Sequence, residues 1–256
     1  MKKIVLTVMA IVAVTTLSAS AGVIAHYSFD SDYTDSSASG NDLTKVENGG
    51  GAASITSTDV KFGVGALDVV STTGNEAYLN LASPIAMGAS DAWSVAFWAR
   101  RSPGSDDRQG MVLGDTSNST DFIWLSNNSR QVRGLRFRNS DNVTSDFGVF
   151  EPDGDDFAYH HYAVTADGAG SITVYYDGAD AGTKSASGAF SITSVAAAYN
   201  ATTHTLNGQM DELYVFDEAI DAAAVDSLYS SNVVPEPATM GLFALGGLAI
   251  LRRRRG

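Results

Sequence analysis

Three sets of residues in this chain could do chemistry: clustered carboxylates, a histidine pair, and a few aromatics beside arginines. The stretch 31–44, SDYTDSSASGNDLT, is rich in Asp, Asn and Gly. These residues form turns, and their oxygens are hard ligands that suit calcium. A second concentration is Asp211-Glu212. Glycoside hydrolysis needs two carboxylates flanking one sugar, roughly 5–5.5 Å apart for retention and wider for inversion. Adjacent strand residues point to opposite faces, so Asp211 and Glu212 do not supply that pair, and Glu218 lies beyond the strand. The same divergence keeps His160 and His161 from chelating one ion. One is expected to pack inward with a hydrogen bond while the other meets solvent. Asp153, Asp155 and Asp156 around Gly154 lack the spaced acids and downstream Glu of a calcium loop. They read as a solvated turn, with a weak second calcium site as the alternative.

A sugar site pairs an aromatic platform with polar groups, because the C–H face of a pyranose stacks while its hydroxyls need partners. Trp93, Trp98, Trp124, Tyr175 and Tyr176 are the candidate platforms. Trp124, followed by Ser126-Asn127-Asn128-Ser129, is the leading one, and core packing is its alternative. Arg133, Leu135 and Phe137 alternate with Gly134, Arg136 and Arg138, which gives a basic stripe on one face, and the three arginines are candidate contacts for acidic polysaccharide. Arg136 either contacts acidic polysaccharide or joins a surface ion pair.

Short β-like runs between polar turns must position these groups. Residues 22–30, 66–70, 77–81, 93–100, 110–114, 121–125, 133–138, 157–165, 171–176 and 209–216 read as strands. Trp93-Ser94-Val95-Ala96-Phe97-Trp98 carries large side chains on both faces. Many short strands without long helices between them predict an all-β sandwich. One helix is expected over 218–229, capped by Asp217, with Ile220, Ala223, Ala224 and Leu228 at helical spacing.

The two ends read as targeting. Met1-Lys2-Lys3, an apolar core from Ile4 to Leu17, and Ala19-Ser20-Ala21 make a secretory signal peptide cut after Ala21. At the other end Val234-Pro235-Glu236-Pro237 precedes the apolar stretch 238–251, then four arginines, 252–255. Fourteen apolar-rich residues are short for a crossing, which needs roughly 20. With Val233 and Val234 the segment could just span, and the arginines would stay cytoplasmic.

Six of the 16 Lys+Arg residues and one of the 29 Asp+Glu residues belong to these ends, which leaves 10 against 28, a net charge of −18. Such a surface repels nucleic acid and anionic lipid. The absence of cysteine removes disulfides, thiolate metal sites and Cys nucleophiles.

The order Val-Pro-Glu-Pro, hydrophobic segment, arginine cluster, chain end resembles the bacterial PEP-CTERM sorting signal. That resemblance implies processing by an exosortase near Val234, Pro235, Glu236 and Pro237, which are then an address. It also implies export to the cell surface or extracellular matrix of a Gram-negative-type bacterium, with transient inner-membrane anchoring.

A second resemblance covers the domain, residues 22–230, with 231–256 as the sorting signal. Ala25-His26-Tyr27-Ser28-Phe29-Asp30 with Asp35-Ser36-Ser37 and Gly40-Asn41-Asp42 is similar to the opening of concanavalin A-like or laminin-G-like domains. Phe62-Gly63-Val64-Gly65-Ala66-Leu67, Trp93 to Trp98, His160 to Thr165, Val174-Tyr175-Tyr176-Asp177-Gly178 and Gly208-Gln209-Met210-Asp211-Glu212 resemble later blocks in the same order. The resemblance implies a two-sheet jelly roll with neighbouring first and last strands and one short C-terminal helix. It also implies a structural calcium, with Asp30, Asp42 and Asp211 as leading ligands and Asp32, Asn41 and Glu212 in reserve. The alternative for these acids is solvated loop residues. The family's glucanases set their acids at an E-x-D-x-E-like spacing that no stretch here supplies. The expected function is therefore a non-catalytic surface or matrix protein that binds carbohydrate or exopolysaccharide. The alternatives are a secreted glycan-degrading enzyme and a purely structural surface protein.

Overall fold

Apolar residues at every second position make two antiparallel sheets that bury their facing sides against each other. The computed structural model describes residues 22–105, 109–127, 133–148, 157–199 and 203–234. They form one compact unit. The signal peptide, the 153–156 turn, Pro235, Glu236, Pro237 and the apolar and basic tail lie outside the described residues. Among the described residues, no helix is long and apolar enough to cross a membrane.

The strands are β1 (Val23–Tyr27), β2 (Leu43–Glu47), β3 (Ala52–Thr56), β4 (Ala66–Val70), β5 (Ala77–Met87), β6 (Ala92–Arg101), β7 (Met111–Gly114) and β8 (Phe122–Asn127). They continue with β9 (Arg133–Arg138), β10 (Thr144–Phe147), β11 (His160–Asp167), β12 (Ser171–Tyr176), β13 (Ala179–Ser185), β14 (Phe190–Val195) and β15 (Gly208–Phe216), and helix α1 (Ala222–Ser231) follows. The larger sheet runs β13-β12-β11-β6-β15-β4-β3, with β1 also on β15, and the smaller runs β10-β9-β8-β7-β14-β5-β2. The expected pairing of first and last strands is present: Tyr27 faces Leu213 and His26 faces Tyr214. The short strands β2, β3, β10, β13 and β14 have no counterpart among the strands expected from the sequence.

Alternation decides which side chains are inside. On β6, Trp93, Val95, Phe97 and Ala99 enter the inter-sheet core, joined from β9 by Leu135 and Phe137. The Trp93 indole donates to the Gly188 carbonyl at 2.7 Å and its ring stacks on Phe190 at 5.4 Å. Burying one such side chain contributes about 1.5–3 kcal/mol, and truncating Phe137 to Ala costs about 3–5 kcal/mol once the cavity is included.

The other face of the larger sheet is covered by α1. Val225 and Leu228 pack with Ala96, Ala163, Tyr214 and Phe216 in a second apolar cluster. The helix starts later than the sequence suggests, and its cap is Asp221, whose carboxylate accepts the Ala224 N–H at 2.9 Å. Ser94 explains the delay: its hydroxyl accepts the Ile220 N–H at 2.9 Å and donates to the Glu218 carbonyl at 2.8 Å. Those bonds hold the chain after β15 as a loop. Asp217, the expected cap, instead extends the β1–β15 ladder by donating its N–H to the Gly22 carbonyl at 2.8 Å. At the far end Asn232 adopts a left-handed conformation and its N–H returns to Leu228 and Ser227, which ends the helix.

Candidate functional site

The six acidic and amide residues expected to hold calcium are placed in separate arrangements. Asp30, just past β1, accepts the N–H groups of Val64 and Gly65 on Oδ1 at 2.5 and 3.2 Å. Asp211 on β15 accepts those of Lys61 and Phe62 on Oδ2 at 2.9 and 3.1 Å. Asp42 accepts the Asp35 N–H at 2.8 Å, and the Asn41 side chain bridges both backbone groups of Ser83 at 2.8 Å. Asp32 caps its own exposed turn through Thr34, and Glu212 meets His26 Nε2 at 2.8 Å. Among the described residues, no three His, Asp or Glu side chains converge to hold one metal ion. Backbone N–H donors aimed at a carboxylate occupy the lone pairs a cation would take. As placed, these residues do not fit one shared calcium.

Asp35 organises the opening loop. Burial alone would push its carboxyl up, but N–H groups of His26, Asn41 and Ser37 and the Ser37 hydroxyl hold it below the usual carboxylate range. The Asx-type spacing of Asp35-Ser36-Ser37 is the signal that could have marked it.

Asp211 and Glu212 break the rule that adjacent strand residues diverge. Met210 and Leu213 both enter the inter-sheet core, so the two acids between them share the opposite face. A bulge between Asp211 and Tyr214 accommodates the extra residue, and Glu212 takes a φ of 50°. Both are buried, at 0% and 5% exposure. Burial pushes the Asp211 carboxyl up to about 7, against the lowering effect of the Phe62 and Lys61 N–H groups. Its Oδ1 is buried without a hydrogen-bond partner.

Beside Asp211, across β6, stand Trp98 and then His161 in direct register. The Lys61 ammonium lies 3.7 Å from the Trp98 ring centroid, and Tyr229 of α1 stacks on that ring at 5.5 Å. His161 is buried, its Nδ1 has no partner, and burial pushes its imidazole down to about 4. His160 turns the other way and pairs with Asp177 at 2.7 Å. One histidine is thus buried and its neighbour is paired near the surface.

The leading sugar candidates meet on the smaller sheet, on the face turned away from the core. Ile123 and Leu125 point inward, so Phe122 and Trp124 point outward and cluster with Met111, Ala198 and Tyr199. Trp124 faces Arg136 directly across the β8–β9 pair. The Arg136 guanidinium lies 5.2 Å from the Trp124 ring centroid, and Arg138 lies 5.0 Å from that of Phe122. Asp146 on β10 grips Arg136 with both oxygens, at 2.5 Å to Nε and 2.9 Å to Nη2. Trp124 is only 6% exposed, so what faces solvent is the Arg136–Asp146 pair that lies over it. Tyr199 and His204, 4.7 Å apart by ring centroid, lie alongside as a second aromatic pair. No pattern in the sequence marks Asp146, Tyr199 and His204: the β9–β10 register brings Asp146 here, and Tyr199 and His204 come from the segment between β14 and β15.

Known proteins agree with this architecture. A family model described as the concanavalin A-like lectin/glucanases superfamily matches residues 73–226, and the PEP-CTERM protein-sorting motif matches 233–255. No curated protein matches by sequence. Among solved structures, domain 4 of AbnA, a GH43 extracellular arabinanase from Geobacillus stearothermophilus in complex with arabinotriose, is 20% identical. It has a TM-score of 0.62 and covers 82% of this chain and 100% of that one. The binding domain of Paraclostridial Mosquitocidal Protein 1 is 15% identical at a TM-score of 0.56, with 82% and 52% covered. That of botulinum neurotoxin serotype D is 10% identical at 0.55, with 81% and 51% covered. The chain spans about half the length of those two toxin domains. At such identities the likeness shows the fold alone. The matched sequence pattern and the two-sheet architecture place this chain in the concanavalin A-like lectin/glucanase superfamily, with a PEP-CTERM sorting motif at its C-terminal end.

Proposed function

We propose that this exported, surface-sorted protein is a non-catalytic module that holds extracellular polysaccharide on the outer face of its smaller sheet. The observation that carries this reading is the Arg136–Asp146 pair seated over Trp124. A guanidinium and a carboxylate fixed on a ring offer both donors and acceptors to sugar hydroxyls, at little loss of side-chain freedom. The corresponding face of the larger sheet is closed by α1. Arabinotriose bound to the structural neighbour supports an oligosaccharide as the ligand class. The sorting motif implies exosortase as a processing partner and delivery to the cell surface. The non-catalytic reading is supported by the burial and N–H bonding of Asp211, which leave it no route to a glycosidic bond.

The exported protein, displayed to an array of polysaccharides, is expected to retain at least one without releasing reducing ends. Arg136→Ala and Trp124→Ala are expected to lose that retention while the fold persists. Release of reducing ends, abolished by Asp211→Asn in a folded protein, would instead establish a hydrolase.

A further inference from the structure

Gly22 is the first described residue, and Asp217 crowds it. A Cβ placed on Gly22 would lie 1.6 Å from Asp217 Oδ1 and 2.8 Å from its Cγ, so no larger residue fits there without moving that carboxylate. A Cβ sits about 2.5 Å from its own residue's backbone nitrogen. Asp217 Oδ1 therefore stands within about 4 Å of the Gly22 nitrogen. Backbone pairing fixes the two residues together, since the Asp217 N–H donates to the Gly22 carbonyl at 2.8 Å. The next pair along the same ladder is Val23 with Phe216.

Gly22 is also the residue that a cut after Ala21 would leave first in the chain. We propose that signal-peptide removal creates an ion pair, in which the new α-ammonium of Gly22 meets the Asp217 carboxylate and fastens β1 to β15. The proposal rests on the Ala19-Ser20-Ala21 cleavage reading, and is independent of the polysaccharide site. Cleavage hydrolyses the Ala21–Gly22 peptide bond, and water supplies the hydroxyl of the released carboxylate and the proton of the amine. Before the cut the Gly22 nitrogen is a neutral amide; after it, the nitrogen carries charge beside an existing anion. Asp217 lines an open cleft of about 410 Å³, and Asp91 is the other carboxylate lining it. The Asp91 carboxylate accepts the Gly88 N–H at 2.6 Å, and Asp217 is the carboxylate whose atoms crowd Gly22. Among the described strands, edge strand β1 pairs with β15 alone, so a contact at its first residue acts where the strand would otherwise fray.

The test uses the processed protein recovered from the exporting cell. N-terminal sequencing is expected to begin at Gly22; any other start overturns the proposal. The pH profile of α-amine acylation, read by mass on the N-terminal peptide, is expected to show a midpoint above the ordinary value of about 7.7. In Asp217→Asn that midpoint is expected to fall by about 0.5 or more. Equal midpoints in the two proteins overturn the ion pair. Gly22→Ala is expected to lower Tm by about 2–4 °C, and Gly22→Ala with Asp217→Gly to recover it. A Gly22→Ala protein as stable as the parent would contradict the crowding on which the pairing rests.

Discussion

Asp30 and Asp211 hold the same loop. Asp30 binds the N–H groups of Val64 and Gly65, and Asp211 those of Lys61 and Phe62. Asp30 follows β1 and Asp211 lies on its neighbour β15, at the two ends of the domain sequence, and the loop they hold lies over Trp98 through Lys61. Residues with the character of cation ligands are here satisfied by main-chain donors.

That clamp predicts a specific sensitivity. Asp30→Ala removes the acceptor of the Val64 and Gly65 N–H groups, which water can reach, and is expected to cost about 0.5–1.5 kcal/mol. Gly63→Ala is expected to be comparably damaging, because Gly63 has a φ of +64° and a Cβ there would meet Asp30 Oδ1 at 2.0 Å. Thermal unfolding with EDTA or excess calcium is expected to give the same Tm. A rise of several degrees with calcium, lost in Asp211→Asn, would put a cation back at β15.

Asp211 and His161 make opposite contributions to pH dependence. The Asp211 carboxyl is held at about 7 in the fold, above its unfolded value, so its contribution is full below about pH 4 and is lost as pH rises through 7. His161 is held at about 4, below its unfolded value, so its contribution is full above about pH 6.5 and is lost as pH falls toward 4. Between about pH 4 and 6.5 the two slopes cancel. Single variants expose them: Asp211→Asn is expected to gain stability with rising pH, and His161→Gln to lose it. Each change is up to roughly 3 kcal/mol at about 1.4 kcal/mol per pH unit. Denaturant unfolding at several pH values checks this, and parallel profiles in both variants would contradict it.

The helix offers a local test. Asp221→Ala removes the carboxylate that accepts the Ala224 N–H and is expected to cost about 0.5–2 kcal/mol. Asp217→Ala is expected to leave helix content unchanged. Circular dichroism and Tm of the two variants separate these caps.

Much of the sandwich was legible, because Trp93, Val95, Phe97, Leu135 and Phe137 announce their inward faces by strict alternation. The helix start was not, because Ser94, far away in sequence, takes the N–H that would have begun it. Asp211 and Glu212 misled for a similar reason: a bulge places adjacent residues on one face, and nothing local encodes it. Trp124 and Arg136 were separately visible, yet only the β8–β9 register sets one over the other. Asp146 had no local signal, since its role depends on β10 closing the edge of the sheet.

The most direct test of polysaccharide binding is titration calorimetry of the exported protein against the exopolysaccharide of its own cell. Saturable binding is expected, at least tenfold weaker in Arg136→Ala, a loss of about 1.4 kcal/mol, and similarly weakened in Trp124→Ala, both with unchanged far-UV spectra. Equal affinity in all three proteins, or no heat from any polysaccharide presented, would contradict a binding site on this face.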